Sequence, residues 1–147
     1  MPYSATLLAL AMVTAALLNV LTGYLQGAVT VAQLGQLALS FGLFTTMVAA
    51  LLAARGHLSR LIQTLTALFG ASAVLYLVLI FLVALTAMQV PMTVVRTLAY
   101  SLLIWSVAID GFILSSALNA GRLIGFLIAL LLFYLQSSLV LLIAGTG

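Results

Sequence analysis

Long apolar runs alternate with short polar interruptions along the chain, and this pattern divides it into five segments. A membrane-crossing helix needs about 20 mainly apolar residues to span roughly 30 Å of hydrocarbon. Segments that meet this requirement lie at about residues 3–24, 28–54, 61–88, 93–118 and 123–144. Transmembrane β-strands alternate apolar and polar residues, whereas LIGFLIALLLFYL is apolar on every side. The pattern predicts an all-α polytopic membrane bundle, with five transmembrane helices and short loops, forming one domain over residues 1–147.

Short polar stretches mark the turns between the later segments. They are the loop Arg55–Arg60, the turn at Gln89–Met92, where Pro91 interrupts the helix, and the turn at Asn119–Arg122. A four-helix alternative stays open at this point. In this alternative the second segment enters the membrane without crossing it. The reason is that four polar or small residues make this segment less apolar: Gln33, Gly35, Gln36 and Gly42.

The composition requires that lipid surround these helices. Apolar residues make up 67% of the chain and charged residues 3%, whereas soluble domains carry about 25% charged residues. Four arginines and one aspartate cannot solvate an exterior in water. The chain has no cysteine, which excludes disulfides and thiolate chemistry. Its scattered arginines do not form a nucleic-acid surface, and no Lys or Arg precedes Arg55, so we expect the first segment to be a retained helix rather than a signal peptide.

The arginines predict an orientation. With five crossings, the loop with Arg55 and Arg60 lies on the same side as Arg122, and only Arg96 lies near the other side. Because cytoplasmic loops carry the excess of positive charge, we expect the N-terminus in the cytoplasm and the C-terminus across the membrane. Arg55, Arg60 and Arg122 then form cytoplasmic basic loops.

Asp110 is the single acidic residue, and it is the main candidate for intramembrane chemistry. Its predicted depth is roughly 12 Å, at 1.5 Å per helical residue, where a carboxylate costs about 2.5–3.5 kcal/mol to insert. We therefore expect it to face the bundle interior, with Ser106 on the same helix face. One interpretation is a proton or cation site. The other is a hydrogen-bonded clasp with a neighbouring helix, for example through Gln63 or Thr64.

Other polar and small residues complete the set of candidates. Gln33, Gln36 and Ser40 form a stripe on one helix face, which either lines a substrate path or joins helices by hydrogen bonds. Gly121 and Gly125 match the small-xxx-small pattern of close helix packing. Arg96 is about 21 Å from Asp110 along one helix, too far for an ion pair. One histidine and one carboxylate do not make a metal site, so we expect no metal, no cofactor and no catalytic residues.

Two apolar stretches resemble a known family. One is LIQTLTALFG at residues 61–70, directly after the basic loop. The other keeps a spaced pattern, formed by Trp105, Ala108, Gly111, Ile113, Leu114, Ala117 and Leu118. Together they resemble small proteobacterial membrane proteins grouped with the Yip (Ypt-interacting protein) domain family. The resemblance implies five spans, a cytoplasmic N-terminus and a bacterial inner-membrane protein of membrane-organising type.

Part of that family's pattern is missing from this chain. The family's Asp-Leu-Tyr-Gly-Pro motif is absent, and the first predicted helix leaves little room for the longer cytosolic region that accompanies GTPase partnership in the eukaryotic members. The resemblance therefore supplies neither a GTPase partner nor a functional residue to transfer.

The sequence thus leads to two functional hypotheses. The first is a non-enzymatic scaffold or accessory subunit, whose partners are the lipid bilayer and either further copies of itself or a larger membrane complex, without nucleic acid. The second is a small transporter or proton-coupled channel that uses Asp110. A membrane-embedded enzyme is the least favoured reading, because acid–base chemistry would have to depend on one carboxylate and one loop histidine.

Overall fold

The computed structural model describes residues 5–27 and 31–145, and these form five long α-helices. They are α1 (Ala5–Leu25), α2 (Val31–Ala54), α3 (Leu61–Ala87), α4 (Met92–Ala117) and α5 (Arg122–Gly145). Each is long and apolar enough to cross a membrane, and the described residues contain no strand. The prediction of an all-α polytopic bundle with five spans is confirmed. The second segment forms a full-length helix, so the four-helix alternative is not needed.

The observed helix ends lie close to the predicted ones. The largest difference is at α2, which is described from Val31 onwards, because residues 28–30 lie outside the described part of the chain. The predicted start of the first helix at Tyr3 also lies outside it. The basic loop after α2 contains one turn of 3₁₀ helix at Leu58–Arg60.

Helices α2, α3 and α4 end with the same backbone arrangement. One residue adopts a left-handed conformation, and the next N–H donates a hydrogen bond back to a carbonyl in the last helical turn. The left-handed residues are Gly56 (φ 70°), Gln89 (φ 58°) and Asn119 (φ 50°). The hydrogen bonds run from His57 to Leu52, from Val90 to Leu85 and from Ala120 to Ser115, at 2.8, 3.3 and 2.9 Å. These hydrogen bonds satisfy the terminal carbonyls of each helix within the turn itself. The connecting loops can therefore be very short.

Helix α3 lies at the centre of the bundle. It packs against α1 on one side and α4 on another, and it also contacts α2. Helix α5 packs along α4 and reaches α2, so that α3, α4, α5 and α2 form a closed ring with α1 outside it against α3. The largest fully buried side chains are Phe69, Leu52, Leu68, Leu114 and Val48. All of them lie in the same half of the bundle.

That half is the arginine end, defined here as the end that holds Arg55, Arg60 and Arg122. The Arg60 guanidinium points at the last carbonyls of α4, with Nη1 3.4 Å from the Ser116 oxygen and 3.5 Å from the Ala117 oxygen. A cation at a helix C-terminus opposes the negative end of the helix dipole. This contact shows that the basic loop and the α4–α5 turn lie side by side. The other end of the bundle is called the opposite end below, and Arg96 lies in the part of α4 nearest to it.

Helices α4 and α5 cross in backbone contact at Gly111 and Gly125. A Cβ added to Gly111 would lie 2.7 Å from the Phe126 Cα, and one added to Gly125 would collide with the Gly111 carbonyl oxygen and lie 2.8 Å from the Ser115 nitrogen. The small-xxx-small pattern predicted that Gly121 and Gly125 lie at a close contact with another helix. Gly125 contacts Gly111 of α4, whereas a Cβ at Gly121 would meet open space.

Candidate functional site

A cavity of about 550 Å³ lies inside the bundle, and residues from all five helices line it. The volume falls within the roughly 300–1,000 Å³ of typical small-molecule sites. Its polar lining residues are Asn19, Thr22, Gln26, Gln36, Ser40, Ser72, Tyr76, Asp110 and Gln136. Its aromatic lining residues, besides Tyr76, are Phe41, Phe44, Phe69 and Phe133. Such a concentration of polar groups is unusual in a chain that is 67% apolar.

The cavity arises from the way in which α1 and α2 dock. Helix α1 packs against α3, whereas α2 packs against α5 and α3, so the last turns of α1 and the first half of α2 face each other across a gap. Gln26, beyond the end of α1, and Leu34, near the start of α2, line its outer part. The cavity therefore extends inward from the opposite end of the bundle.

The inner part of the cavity lies at the depth of Asp110. This residue is about 10 Å along the helix axis from Ala117, the last residue of α4. Phe69 is about 12 Å from the first residue of α3, and Phe44 is about 15 Å from the last residue of α2. These three side chains therefore lie at similar depths from the arginine end, directly inside the packed layer that contains Leu52 and Leu114.

Asp110 is half-buried and faces this cavity without a protein partner. Among the described residues it makes neither an ion pair nor a hydrogen bond, and it is the single charged group in the cavity lining. An isolated carboxylate is unstable in hydrocarbon, whereas a polar cavity provides room for water or a ligand around it. The arrangement is typical of a binding site rather than of a packed helix interface.

Two hydrogen bonds join helices through groups that line the cavity. The Asn19 Nδ2 donates to the Tyr76 hydroxyl at 2.5 Å and so connects α1 with α3. The Gln136 Nε2 donates to the Ser40 carbonyl at 3.4 Å and connects α5 with α2. The hydroxyls of Thr22 and Ser72 donate to carbonyls of their own helices. The amides therefore position the cavity walls, and the hydroxyl oxygens keep acceptor capacity for an occupant.

We expect the Asn19–Tyr76 hydrogen bond to be measurable in a double-mutant cycle. Hydrogen bonds between membrane helices contribute about 0.6 kcal/mol on average and at most about 1.7 kcal/mol. Asn19→Leu, Tyr76→Phe and the double variant, unfolded in mixed micelles, should give a coupling free energy in this range. A coupling indistinguishable from zero would show that the two side chains are not bonded in the bilayer.

The structure brings together some of the predicted site residues and separates others. Asp110, Gln36 and Ser40 line one cavity, whereas the side chain of Gln33 lies outside the described residues. Ser106 and Gln63 are not part of the described lining, and the Ser106 hydroxyl donates to the Leu103 carbonyl of its own helix. No described residue forms the suggested clasp to Asp110: the hydroxyl of Thr64 donates to the Arg60 carbonyl, and the Arg60 guanidinium points at the last carbonyls of α4.

Sequence reasoning missed most of the cavity lining. Four missed residues lie in strongly apolar helices, with at most two in any one helix, so each of them resembles an isolated hydrogen-bonding residue. These four residues are Asn19, Ser72, Tyr76 and Gln136. The spacing held a signal, because Asn19, Thr22 and Gln26 recur on one helix face, and Ser72 and Tyr76 do so on another. What the spacing does not show is that these faces point at one another.

Comparison with protein-family models, curated protein sequences and solved structures found no match to this chain. The resemblance to the Yip domain family therefore stays a prediction. The functional conclusion depends on the cavity and on its single charged residue.

Proposed function

We propose that this protein is a small membrane transporter that binds its solute in the cavity, with Asp110 as the charged binding group. One observation carries the proposal: the single carboxylate of the chain has no partner among the described residues and faces a polar cavity that reaches from one end of the bundle to its interior. Intramembrane ionisable residues usually mark substrate or ion pathways.

A carrier is favoured over an open channel. Large buried side chains, including Leu52, Leu68 and Leu114, fill the bundle between Asp110 and the arginine end. Transport then requires this layer to open while the opposite end closes, as in alternating-access carriers. Helix α2 is better suited to movement, because its interfaces with α5 and α3 are much less extensive than those between α1 and α3 or between α4 and α5.

A scaffold or accessory role stays a prediction from the sequence. The sequence supports it through very short loops, few buried polar groups and small residues along the helices. Among those small residues, Gly125 already packs against Gly111 inside the chain. We further propose that the arginine end is cytoplasmic, in a bacterial inner membrane, because Arg55, Arg60 and Arg122 lie together there. The cavity then extends from Asp110 towards the side away from the cytoplasm.

Cysteine accessibility tests the transporter proposal without knowledge of the solute. The natural chain has no cysteine, so Ser72→Cys places a single thiol in the cavity. We expect a membrane-impermeant thiol reagent to modify it in both right-side-out and inside-out vesicles, because a carrier exposes its site to each side in turn. Labelling is quantified by mass spectrometry of the purified protein.

Ser101→Cys is the matched control. Ser101 also donates its hydroxyl to a carbonyl of its own helix, at 3.0 Å, but it is not part of the described cavity lining. We expect its thiol to be unreactive from both sides, because lipid surrounds it. Modification of Ser72→Cys from one side only, or from neither, would contradict the transporter proposal.

A further inference from the structure

We infer that the occupant of the cavity is an organic cation, a protonated or quaternary amine, held between Asp110 and the phenylalanines at the inner end. The inference depends on the proposed function, because it names the class of solute for that same site. It follows from three features of the lining: its charge, its aromatic rings and its lack of further ligands for a metal ion.

The charge of the lining favours a cation. Asp110 contributes a carboxylate, and none of the described residues that line the cavity is an arginine or a histidine. An anionic solute would meet a like charge with no compensating cation. A neutral solute would leave Asp110 either as an unpaired carboxylate, which is costly in a low-dielectric site, or in its protonated form. An occupant with a single positive charge instead pairs with the ionised side chain.

The aromatic residues favour an organic cation. The Phe69 ring centroid lies 5.1 Å from that of Phe41 and 6.1 Å from that of Phe44, and the Phe44 ring meets it edge-on. The three rings pack against one another and line the same cavity as Asp110. Aromatic faces attract alkylammonium groups by cation–π interactions and also contact their apolar substituents. Phe44 and Phe69 lie at depths similar to that of Asp110, so the charged and the aromatic parts of the lining both belong to the inner part of the cavity.

A bare metal ion does not suit this site. Calcium takes 6–8 oxygen ligands and magnesium requires near-octahedral geometry. The described residues contain no group of three or more His, Cys, Asp or Glu side chains that could hold a metal. One carboxylate in a lining with phenylalanine rings does not replace a metal ion's hydration shell, whereas a quaternary ammonium ion is weakly hydrated and needs no such replacement. A volume of about 550 Å³ also accommodates a compact organic cation.

A charged ligand and its uncharged isostere provide the sharpest test. Choline and dimethylbutanol have the same shape, but a quaternary carbon replaces the ammonium nitrogen in the second. We expect choline and tetraethylammonium to bind the purified wild-type protein in isothermal titration calorimetry and to slow the labelling of Ser72→Cys. Dimethylbutanol should do neither. Equal binding of choline and dimethylbutanol, or no binding of either cation, would overturn the inference.

The aromatic contribution is tested with a matched pair of variants. Phe44→Leu keeps an apolar side chain but removes a ring from the cavity lining, and we expect it to weaken tetraethylammonium binding about fivefold. Phe81→Leu makes the same change on the exposed surface of α3 and should leave the affinity unchanged. Equal affinities of the two variants would show that cation–π contacts are absent, and would overturn the assignment of the phenylalanines.

The two proposals fail in different ways. If Ser72→Cys is labelled from both sides but neither cation binds, the protein transports another class of solute and the organic-cation inference is wrong. If Ser72→Cys is not labelled from both sides, the transporter proposal fails first. Calorimetry on the wild-type protein decides whether the cavity binds cations even if the cysteine variant does not fold.

Discussion

Replacing Asp110 with asparagine is expected to abolish cation uptake while leaving the bundle at least as stable as the wild type. Asparagine has nearly the same shape, so the cavity persists, but the ion pair with the bound cation is lost. We expect the affinity for tetraethylammonium to fall at least about tenfold, which corresponds to about 1.4 kcal/mol. Uptake of radiolabelled tetraethylammonium into proteoliposomes measures the loss of function.

The Asp110→Asn variant is expected to be at least as stable as the wild type although it loses uptake, because Asp110 has no partner among the described residues. A central carboxylate costs about 2.5–3.5 kcal/mol on insertion scales, and removing an unpaired charge relieves a cost rather than breaking a bond. The midpoint of thermal unfolding in detergent should therefore stay constant or rise in Asp110→Asn. This combination of lost uptake and retained stability is the signature of a binding group.

Arg96→Gln is the matched control for Asp110→Asn. It also removes one charge from α4, but Arg96 is exposed and does not belong to the described cavity lining. We expect the Arg96→Gln variant to take up tetraethylammonium at the wild-type rate. If Asp110→Asn instead unfolds at a clearly lower temperature and the remaining folded protein still transports, Asp110 has a structural role, as in the helix clasp suggested by the sequence.

Gly125→Ala is expected to cause a large loss of stability, because it adds a methyl group where α4 and α5 are in backbone contact. The added Cβ would lie 2.5 Å from the Ser115 Cβ and would also meet backbone atoms of α4. Because backbone atoms cannot rotate away, α4 and α5 must separate along their most extensive interface. Overpacking of this kind typically costs about 1–3 kcal/mol. Unfolding with sodium dodecyl sulfate in mixed micelles, followed by circular dichroism, measures the effect.

Gly42→Ala makes the same change where there is space for it. A Cβ at Gly42 has no neighbour within 4 Å, and alanine favours the helical state over glycine by about 1 kcal/mol in water. We expect unchanged or slightly increased stability. Equal losses in the two variants would mean that α4 and α5 do not cross at Gly125.

The candidate site shows how far sequence patterns reach. Asp110 was identified from its chemistry alone, since a lone carboxylate in an apolar helix must face something other than lipid. Gln36 and Ser40 were identified from their spacing on one helix face. Asn19, Tyr76 and Gln136 were not identified, because one polar residue in a membrane helix has the same sequence signature whether it lines a cavity or bonds to a neighbouring helix.

The glycines also show what sequence spacing can predict and what it cannot. The small-xxx-small pattern predicted that Gly121 and Gly125 both lie at a close contact with another helix, but it did not identify that helix. Gly125 contacts Gly111 of α4, whereas a Cβ added to Gly121 has no neighbour within 4 Å. The partner of a small residue depends on the crossing point of two helices, and that point depends on the whole interface rather than on local spacing.

By itself, the sequence determined that this protein is a bundle of five membrane-spanning helices, with three of its four arginines in the turns at one end. These properties follow from the length and polarity of each segment, because the bilayer acts on every helix separately. The tertiary structure alone decided that α1 packs mainly on α3 and α2 mainly on α5, which leaves a polar cavity ending at Asp110. The reason is physical: transfer into lipid depends on one segment at a time, whereas a cavity is formed by the faces that several helices turn towards each other.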